Sequence, residues 1–346
     1  NDRGYKMKRL LIKIATCLLG FVSVLVIYFF SIYEKSDATT EVMQSATLPI
    51  VNMMYENTSI NMLQGYTTYM DGKYMRDCIT PLEKGRTLGV NIKKYDNVIA
   101  TMSYEIRSLD TKRLIDKQNI SNFVLSGDTI YATIDVSNIV EKDTEYLLII
   151  ELVSEKHGNI YYYTRIEEQT ESAVKTHLDF VSNMSKSSLN YDEAQNYFPY
   201  LEPSSSSDNT NLGYVNIKSA ISNYTWGDLD VKRVTEPTVK IKEILGDVGC
   251  YELQYKVMAK NEYGTSQYYN VTEYYRVRQG IGAMYVFVFE RRMDQIFDGS
   301  NQNASNCTAL VIQFKSTFSI QNVGFYKQFQ PVFCFIALFQ CDLQLG

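Results

Sequence analysis

The chain has 346 residues and a formal net charge of −5, with 28 tyrosines but only two histidines and one tryptophan. This length suffices for two ordinary domains beside a membrane anchor. The acidic balance argues against a nucleic-acid-binding protein, which would carry a basic stripe. P-loop, G-x-S-x-G, H-E-x-x-H and C-x-x-C motifs are absent from the sequence, so it predicts no catalytic residue, no metal site and no cofactor.

The first predicted element is a transmembrane helix over residues 14–33. This range has no charged residue, and its length matches the ~20 apolar residues that cross a bilayer. The alternative is a cleaved signal peptide ending near Ala38, but a signal core is typically only ~7–15 residues long. Because basic residues precede the span and acidic ones follow it, we expect a cytoplasmic N-terminus and an extracytoplasmic body. The basic residues are Lys6, Lys8, Arg9 and Lys13.

Two short segments flank this predicted span. Residues 1–13 form a basic cytoplasmic stub, of which residues 1–6 are untranslated if Met7 is the true start. Residues 34–46 are polar and read as a tether. The body would then begin at Thr47.

Residues 47–168 are dominated by period-two alternation, which is typical of half-buried strands. The range 146–153 is apolar on both faces and predicts a central strand, and His157-Gly158-Asn159 predicts a hairpin turn. Seven strands follow from the pattern: 50–55, 60–63, 88–92, 98–107, 130–136, 146–153 and 160–166. We therefore expect an antiparallel β-sandwich of about seven or eight strands, immunoglobulin-like in architecture.

The pattern changes near Thr170, and residues 169–299 predict an α+β domain. A helical stripe appears first, with Thr170 or Ser172 as a candidate N-cap, and a second short helix over 191–197 is expected to stop at Pro199. The stripe consists of Val174, His177, Leu178, Val181 and Met184 or Ser185.

Residues 217–226 fit a helix or a strand, and long alternating strands follow them. Those strands begin at 239–241 and continue at 251–260, 268–278 and 283–291. Helices on an antiparallel meander suggest a cystatin-like or NTF2-like roll.

Residues 300–346 differ in composition from the body. They contain no glutamate but seven of the 16 phenylalanines and three of the six cysteines. The range is either a frameshifted or spurious tail, which we favour, or a second hydrophobic segment. Its apolar stretch at 329–339 is too short to span a bilayer.

Tyrosine is the main candidate for a binding role. The runs at 161–163, 268–269 and 274–275 place rings on both faces of their strands. Rings on an inner face would belong to the core. Rings on an outer face would form a platform for a carbohydrate or a protein. The candidate binding surface is Tyr161, Tyr163, Tyr268 and Tyr274.

Other residues with chemical potential have simpler structural interpretations. His157 is expected to be a solvated turn residue and His177 a partly buried helix residue, which argues against a two-histidine site. Trp226 is expected to anchor the core beneath the second sheet. Cys78 and Cys250 fall in separate predicted domains, so two thiols are favoured over one disulfide.

Several motifs resemble an uncharacterised family of single-pass, membrane-anchored extracytoplasmic proteins from gut clostridia. They are GY at 65–66, MDGKYMRD at 70–77, ITPL at 79–82, SYEIRSLD at 103–110, YTWGDLDV at 224–231 and EYYRVR at 273–278. The similarity runs from the anchor to about Asp298. It implies a location and a domain order, but no activity and no site. Family members continue past this point into a β-rich region, which supports the artefact interpretation of the tail.

The sequence therefore predicts a mainly β, non-enzymatic protein held at a Gram-positive-type cell membrane by one helix. The favoured role is a binding, assembly or sensing module whose partner is an envelope protein or a wall glycan. The alternatives are a carbohydrate-binding or enzyme-accessory protein and, less favoured, a hydrolase that uses a carboxylate pair.

Overall fold

A computed structural model of the chain describes residues 13, 18–24, 48–83, 85–136, 140–169, 173–260 and 264–296. The protein is mainly β, as predicted, and divides into two compact units between Gln169 and Thr170. Residues 18–24 are helical. Within these ranges no helix is long and apolar enough to cross a membrane. Most of the predicted span at 14–33, the tether at 34–46 and the tail at 300–346 lie outside the described residues.

The N-terminal unit has ten strands in its described residues, more than the seven or eight predicted. They are β1 (Ile50–Tyr55), β2 (Thr58–Leu63), β3 (Ile79–Pro81), β4 (Thr87–Lys93), β5 (Ile99–Ser108), β6 (Leu114–Asn119), β7 (Phe123–Ser126), β8 (Thr129–Asp135), β9 (Tyr146–Ser154) and β10 (Gly158–Glu167). The sequence pattern missed β3, β6 and β7. These three are short, and β6 and β7 expose most of their side chains, so they lack a clear period.

The ten strands form two layers with a shared core. One layer has the order β2-β1-β4-β8-β7 and the other β3-β10-β9-β5-β6. The predicted central strand, β9, lies between β10 and β5. The expectation of a wholly antiparallel sandwich was wrong, because β3 pairs with β10 in parallel. A parallel pair needs a crossover, and here a long stretch of chain separates the two strands.

Side-chain alternation determines which residues fill this core. On β10, Ile160 and Tyr162 point inward and are fully buried, and the Tyr162 hydroxyl donates to the Pro49 carbonyl at 2.7 Å. Met102 and Tyr104 on β5 also point inward and are buried. Because side chains alternate along a strand, the odd-numbered residues of β5 and β10 occupy the outer face.

The C-terminal unit combines an antiparallel meander with helices. Its strands are β11 (Tyr214–Asn216), β12 (Lys232–Arg233), β13 (Thr238–Leu245), β14 (Val248–Lys260), β15 (Ser266–Gln279) and β16 (Met284–Gln295). The order is β11-β16-β15-β14-β13, with β12 on β14. The helices are α1 (Val174–Ser187), α2 (Tyr191–Ala194) and α3 (Ile221–Tyr224), with a 3₁₀ segment at Gln195–Tyr200.

The predicted stripe on α1 is confirmed, since its members are buried. The residue that precedes α1 at the N-cap position is Ala173, and the predicted N-cap candidates Thr170 and Ser172 lie outside the described residues. The expectation about the end of the second helix was wrong. Pro199 does not stop the second helix, because a 3₁₀ turn with i→i+3 bonds runs through it. The ambiguous range 217–226 contains α3.

Trp226 anchors the core of this unit, as predicted, and packs against Tyr255, Val257 and Val271. Its indole nitrogen donates to Ser188 Oγ at 3.1 Å, which ties the ring to the end of α1. Its φ of +69° is unusual for a bulky residue.

Candidate functional site

The outer face of the β10-β9-β5-β6 layer is the best-formed candidate site. Register places Tyr161 beside Glu151, and Glu151 beside Ser103. The next row, two residues and about 7 Å along the strands, holds Tyr163, Ile149 and Glu105. We call this surface the tyrosine face and define it as Tyr69, Ser103, Glu105, Arg107, Glu151, Asn159, Tyr161 and Tyr163.

The segment between β2 and β3 covers one end of the tyrosine face. Tyr66 forms an isolated antiparallel bridge with Tyr161, with backbone hydrogen bonds of 2.9 and 2.8 Å. The Met70 backbone N–H donates to Tyr163 Oη at 2.8 Å. Tyr163 is therefore buried, and burial raises its pKa to about 12.

Tyr69 forms the open wall of the site. Its ring makes edge-on contacts with Tyr161, at 5.2 Å between centroids, and with Tyr163, at 6.3 Å. Its side chain is nevertheless 48% exposed. Burial of the hydroxyl raises the pKa of Tyr69, and the neighbouring Arg107 guanidinium opposes that shift. Three tyrosine rings thus meet edge-on, and the Tyr69 ring remains accessible to solvent.

A hydrogen-bonded row continues from the rings across the sheet. The Asn159 amide donates to Glu151 Oε1 at 2.8 Å and to Tyr161 Oη at 3.2 Å. Ser103 Oγ donates to the other oxygen of Glu151 at 3.3 Å. Glu151 is therefore held by donors on both neighbouring strands, which fixes the row before any ligand arrives.

Charge on this face is balanced internally. Glu105 accepts from Arg107 Nε at 2.8 Å and from Lys117 Nζ at 2.7 Å. Burial of the Glu105 carboxyl would raise its pKa, but these two cations outweigh burial and lower it. The same carboxylate raises the pKa of Arg107 and of Lys117. These groups stay ionised near neutral pH and suit recognition better than proton transfer.

The predicted binding residues separate into two groups. Tyr161 and Tyr163 lie on the tyrosine face, with Tyr161 half-buried and Tyr163 buried. Tyr268 and Tyr274 share one face of β15 but lie about 20 Å apart along it. Tyr268 is exposed, whereas Tyr274 is half-buried. Burial is the main cause, and contact with Cys250 the second, of the raised pKa of Tyr274, which is about 12.

The other candidate residues occupy structural positions. His177 is fully buried, more so than predicted, and its Nδ1 lies 2.9 Å from Tyr251 Oη. Cys78 and Cys250 are buried thiols. Among the described residues no group of three or more His, Cys, Asp or Glu side chains is placed to hold a metal ion.

Sequence reasoning missed Tyr69, Glu151 and Asn159. Glu151 and Asn159 had a usable signal, because the predicted hairpin turn sets the β9–β10 register and hence the neighbours of Tyr161. Tyr69 had none, since it comes from an irregular segment whose path depends on tertiary packing.

No protein-family model and no curated protein sequence matches the chain. Among solved structures, it is similar to the crystal structure of Spo0M, a sporulation control protein from Bacillus subtilis, at 9% identity. The alignment covers 66% of this chain and 80% of that chain, with a TM-score of 0.21.

Proposed function

We propose that the protein is a non-enzymatic binding module of the cell envelope, with the tyrosine face as its ligand-binding surface. A helix at 14–33 would anchor it in the membrane as a single-pass protein, with the body outside. The resemblance to anchored clostridial proteins and the basic residues before the span support this location.

One observation carries the binding role: accessible rings stand beside a polar row that is already organised. The exposed Tyr69 ring adjoins Tyr161, and the Glu151 carboxylate is held by Ser103 and Asn159. Binding sites typically combine apolar surface with a few fixed polar groups. The carboxylates of this face are committed to nearby donors, which favours recognition over hydrolysis.

The favoured partner is an envelope protein, and the second candidate ligand is a wall glycan. Sugar rings present apolar C–H faces that pack on aromatic rings and hydroxyls that bond to carboxylates and amides. Tyr69, Tyr161, Glu151 and Asn159 supply all of these groups within one surface. A protein partner would use the same rings, since tyrosine is enriched in interface cores.

The ligand class can be decided by titrating the full-length chain in detergent with soluble peptidoglycan fragments and following tyrosine fluorescence. Tyr69→Ala and Tyr161→Ala should each weaken a genuine glycan interaction at least about tenfold, the loss expected for an aromatic contact of about 1.5 kcal/mol. Tyr131→Ala is the matched control, because Tyr131 on β8 is equally exposed but belongs to the other layer.

A photocrosslinking residue at position 69 tests the protein alternative in intact cells. A defined adduct that is absent when the residue stands at position 131 supports a protein partner. The binding role is refuted if changes at positions 69 and 131 have equal effects on glycan binding and the two positions give the same crosslinks. Protease added to intact cells tests the location, since it should digest the body only if the body lies outside.

We also propose that the N-terminal unit is immunoglobulin-like and that the C-terminal unit is a cystatin-like or NTF2-like roll. An immunoglobulin-like arrangement of the N-terminal unit is supported by its two layers around a shared core. A cystatin-like or NTF2-like roll is supported by α1 lying against the meander, where His177 meets Tyr251 on β14.

A further inference from the structure

The hairpin between β15 and β16 ends in an exposed apolar tip that the proposed binding role does not use. Ile281 is fully exposed between Gly280 and Gly282. The Gly280 N–H donates to the Ala283 carbonyl at 2.8 Å, and Gly282 has a φ of +74°. The turn is therefore closed and presents the Ile281 side chain outward.

Aromatic and cationic side chains follow directly behind the tip. Tyr285 and Phe287 on β16 are about half exposed. The Arg278 guanidinium carbon lies 4.9 Å from the Tyr285 ring centroid and 5.5 Å from that of Phe287. Arg278 lies directly opposite Tyr285 in the strand register, and Phe287 lies two residues farther from the tip on β16.

A second apolar turn lies at the same end of the C-terminal unit. Leu245, at the end of β13, is more than half exposed. The Gln279 N–H donates to the Asp247 carbonyl at 2.9 Å, which joins the two turns side by side. Leu245 and Ile281 therefore belong to one end of the sheet.

We propose that this end of the C-terminal unit, called the hairpin tip and defined as Leu245, Arg278, Ile281, Tyr285 and Phe287, inserts into the surface of a lipid bilayer. The proposal rests on the proposed membrane anchor, which would keep the tip close to a membrane at high effective concentration. Its side chains are of the kinds that a bilayer interface takes up, namely exposed aliphatic residues at the end, two aromatic rings and a cation beside them. Arg278 would face anionic headgroups.

The shape of the tip favours a bilayer over a protein pocket. Ile281 protrudes between two glycines, so its two neighbours in the chain add no side chain to a flat contact surface. A fluid interface accommodates such a projection, whereas a protein partner would need a matching cavity.

Tryptophan fluorescence with brominated lipids tests the proposal in the full-length chain. The probe is Ala283→Trp, which retains Ile281, and the protein is reconstituted into phosphatidylcholine–phosphatidylglycerol vesicles with or without brominated acyl chains. The native Trp226 is buried and gives a constant background. Val234→Trp is the control. Val234 is exposed, and its backbone N–H donates to the Lys256 carbonyl, which places it toward the opposite end of β14 from the tip.

Insertion predicts a blue shift and bromine quenching at position 283, no quenching at 234, and loss of quenching when Ile281→Asp is added to the 283 probe. Alkaline washing first shows whether the chain stays anchored in the vesicles. If it stays and its emission is the same with and without brominated lipids, the insertion of the tip is refuted while the proposed anchor stands. If the chain washes off, the proposed anchor is refuted. Insertion of the tip is then tested by bromine quenching of the position-283 tryptophan after vesicles are added to the free protein. A concentration-dependent blue shift without lipid would assign the tip to a second copy and overturn the proposal.

Discussion

Glu273 on β15 and Arg291 on β16 are cross-strand partners in the core of the C-terminal unit, and neither exposes any surface. Glu273 accepts hydrogen bonds from the hydroxyls of Tyr255 and Tyr275, each at 2.9 Å. Arg291 donates to the carbonyls of Asn223 and Tyr224 at 2.6 and 3.0 Å. Buried charges are tolerated when hydrogen bonds replace their lost hydration, so this pair joins α3 to the sheet.

Replacing Arg291 with methionine should strongly destabilise the C-terminal unit. The two carbonyls lose their donors and Glu273 loses its neighbouring cation, at a cost of about 3–5 kcal/mol. Denaturant unfolding followed by Trp226 emission measures the change, since the Arg291 guanidinium lies 3.6 Å from the Trp226 ring centroid. Arg292→Met, at the exposed neighbouring position, should be nearly neutral. Similar losses for both variants would contradict the role of the buried pair.

Gly72→Ala should loosen the segment that covers the tyrosine face. A Cβ at Gly72 would collide with Leu147 Cδ2, and Leu147 is itself buried against Tyr163. We expect a destabilisation of about 1–3 kcal/mol, typical of overpacking, and faster hydrogen exchange over residues 66–75. Leu147→Ala should remove the collision, so the double variant should be more stable than the sum of the single losses. Additive losses would show that the contact is not responsible.

Glu167 should make the N-terminal unit less stable as the pH rises. Burial, with repulsion from Glu145 and Asp143, raises the pKa of Glu167 from 4.5 to about 7. A raised carboxyl pKa adds stability that is complete below pH 4.5 and is lost as the pH rises through 7, by at most about 3 kcal/mol. Hydrogen exchange of β9 and β10 against pH measures this slope. Glu167→Gln should flatten it, and Glu155→Gln, at an exposed turn residue, should not.

His177 should give the C-terminal unit the opposite dependence on pH. Burial lowers the pKa of His177 from 6.5 to about 4, although Asp247 opposes the shift. A lowered histidine pKa adds stability that is present above pH 6.5 and is lost as the pH falls through 4, by at most about 3 kcal/mol. Unfolding curves from Trp226 emission should show the loss in the wild type and a flatter profile in His177→Gln. His157→Gln should retain the wild-type slope, and a flat wild-type profile would refute the prediction.

Local patterns predicted most of the regular elements. Strand β1 has the predicted bounds, and α1 buries the predicted stripe. Both succeed because one apolar face repeats with the period of the element. The failure at Pro199 concerns a single turn, where α-helical and 3₁₀ hydrogen bonds differ by little energy.

The tyrosine face was only half predictable. Period two separates Tyr162 from Tyr161 and Tyr163, but it does not say which set faces the core. That choice depends on the second layer of the sandwich, against which Tyr162 packs and whose approach buries its hydroxyl on Pro49. Burial of Tyr163 on the other face depends on Met70, which is far away in the chain.

The sequence by itself determined the mainly β class, the places where strands and the main helix form, and the core position of Trp226, because these follow from local periodicity and from the size of one apolar ring. Tertiary structure alone decided the parallel β3–β10 pair, the cover over Tyr163 and the burial of Glu273 beside Arg291. The first two bring together residues that are distant in sequence, and the third depends on a balance between desolvation and hydrogen bonding. A local sequence pattern contains information about neither.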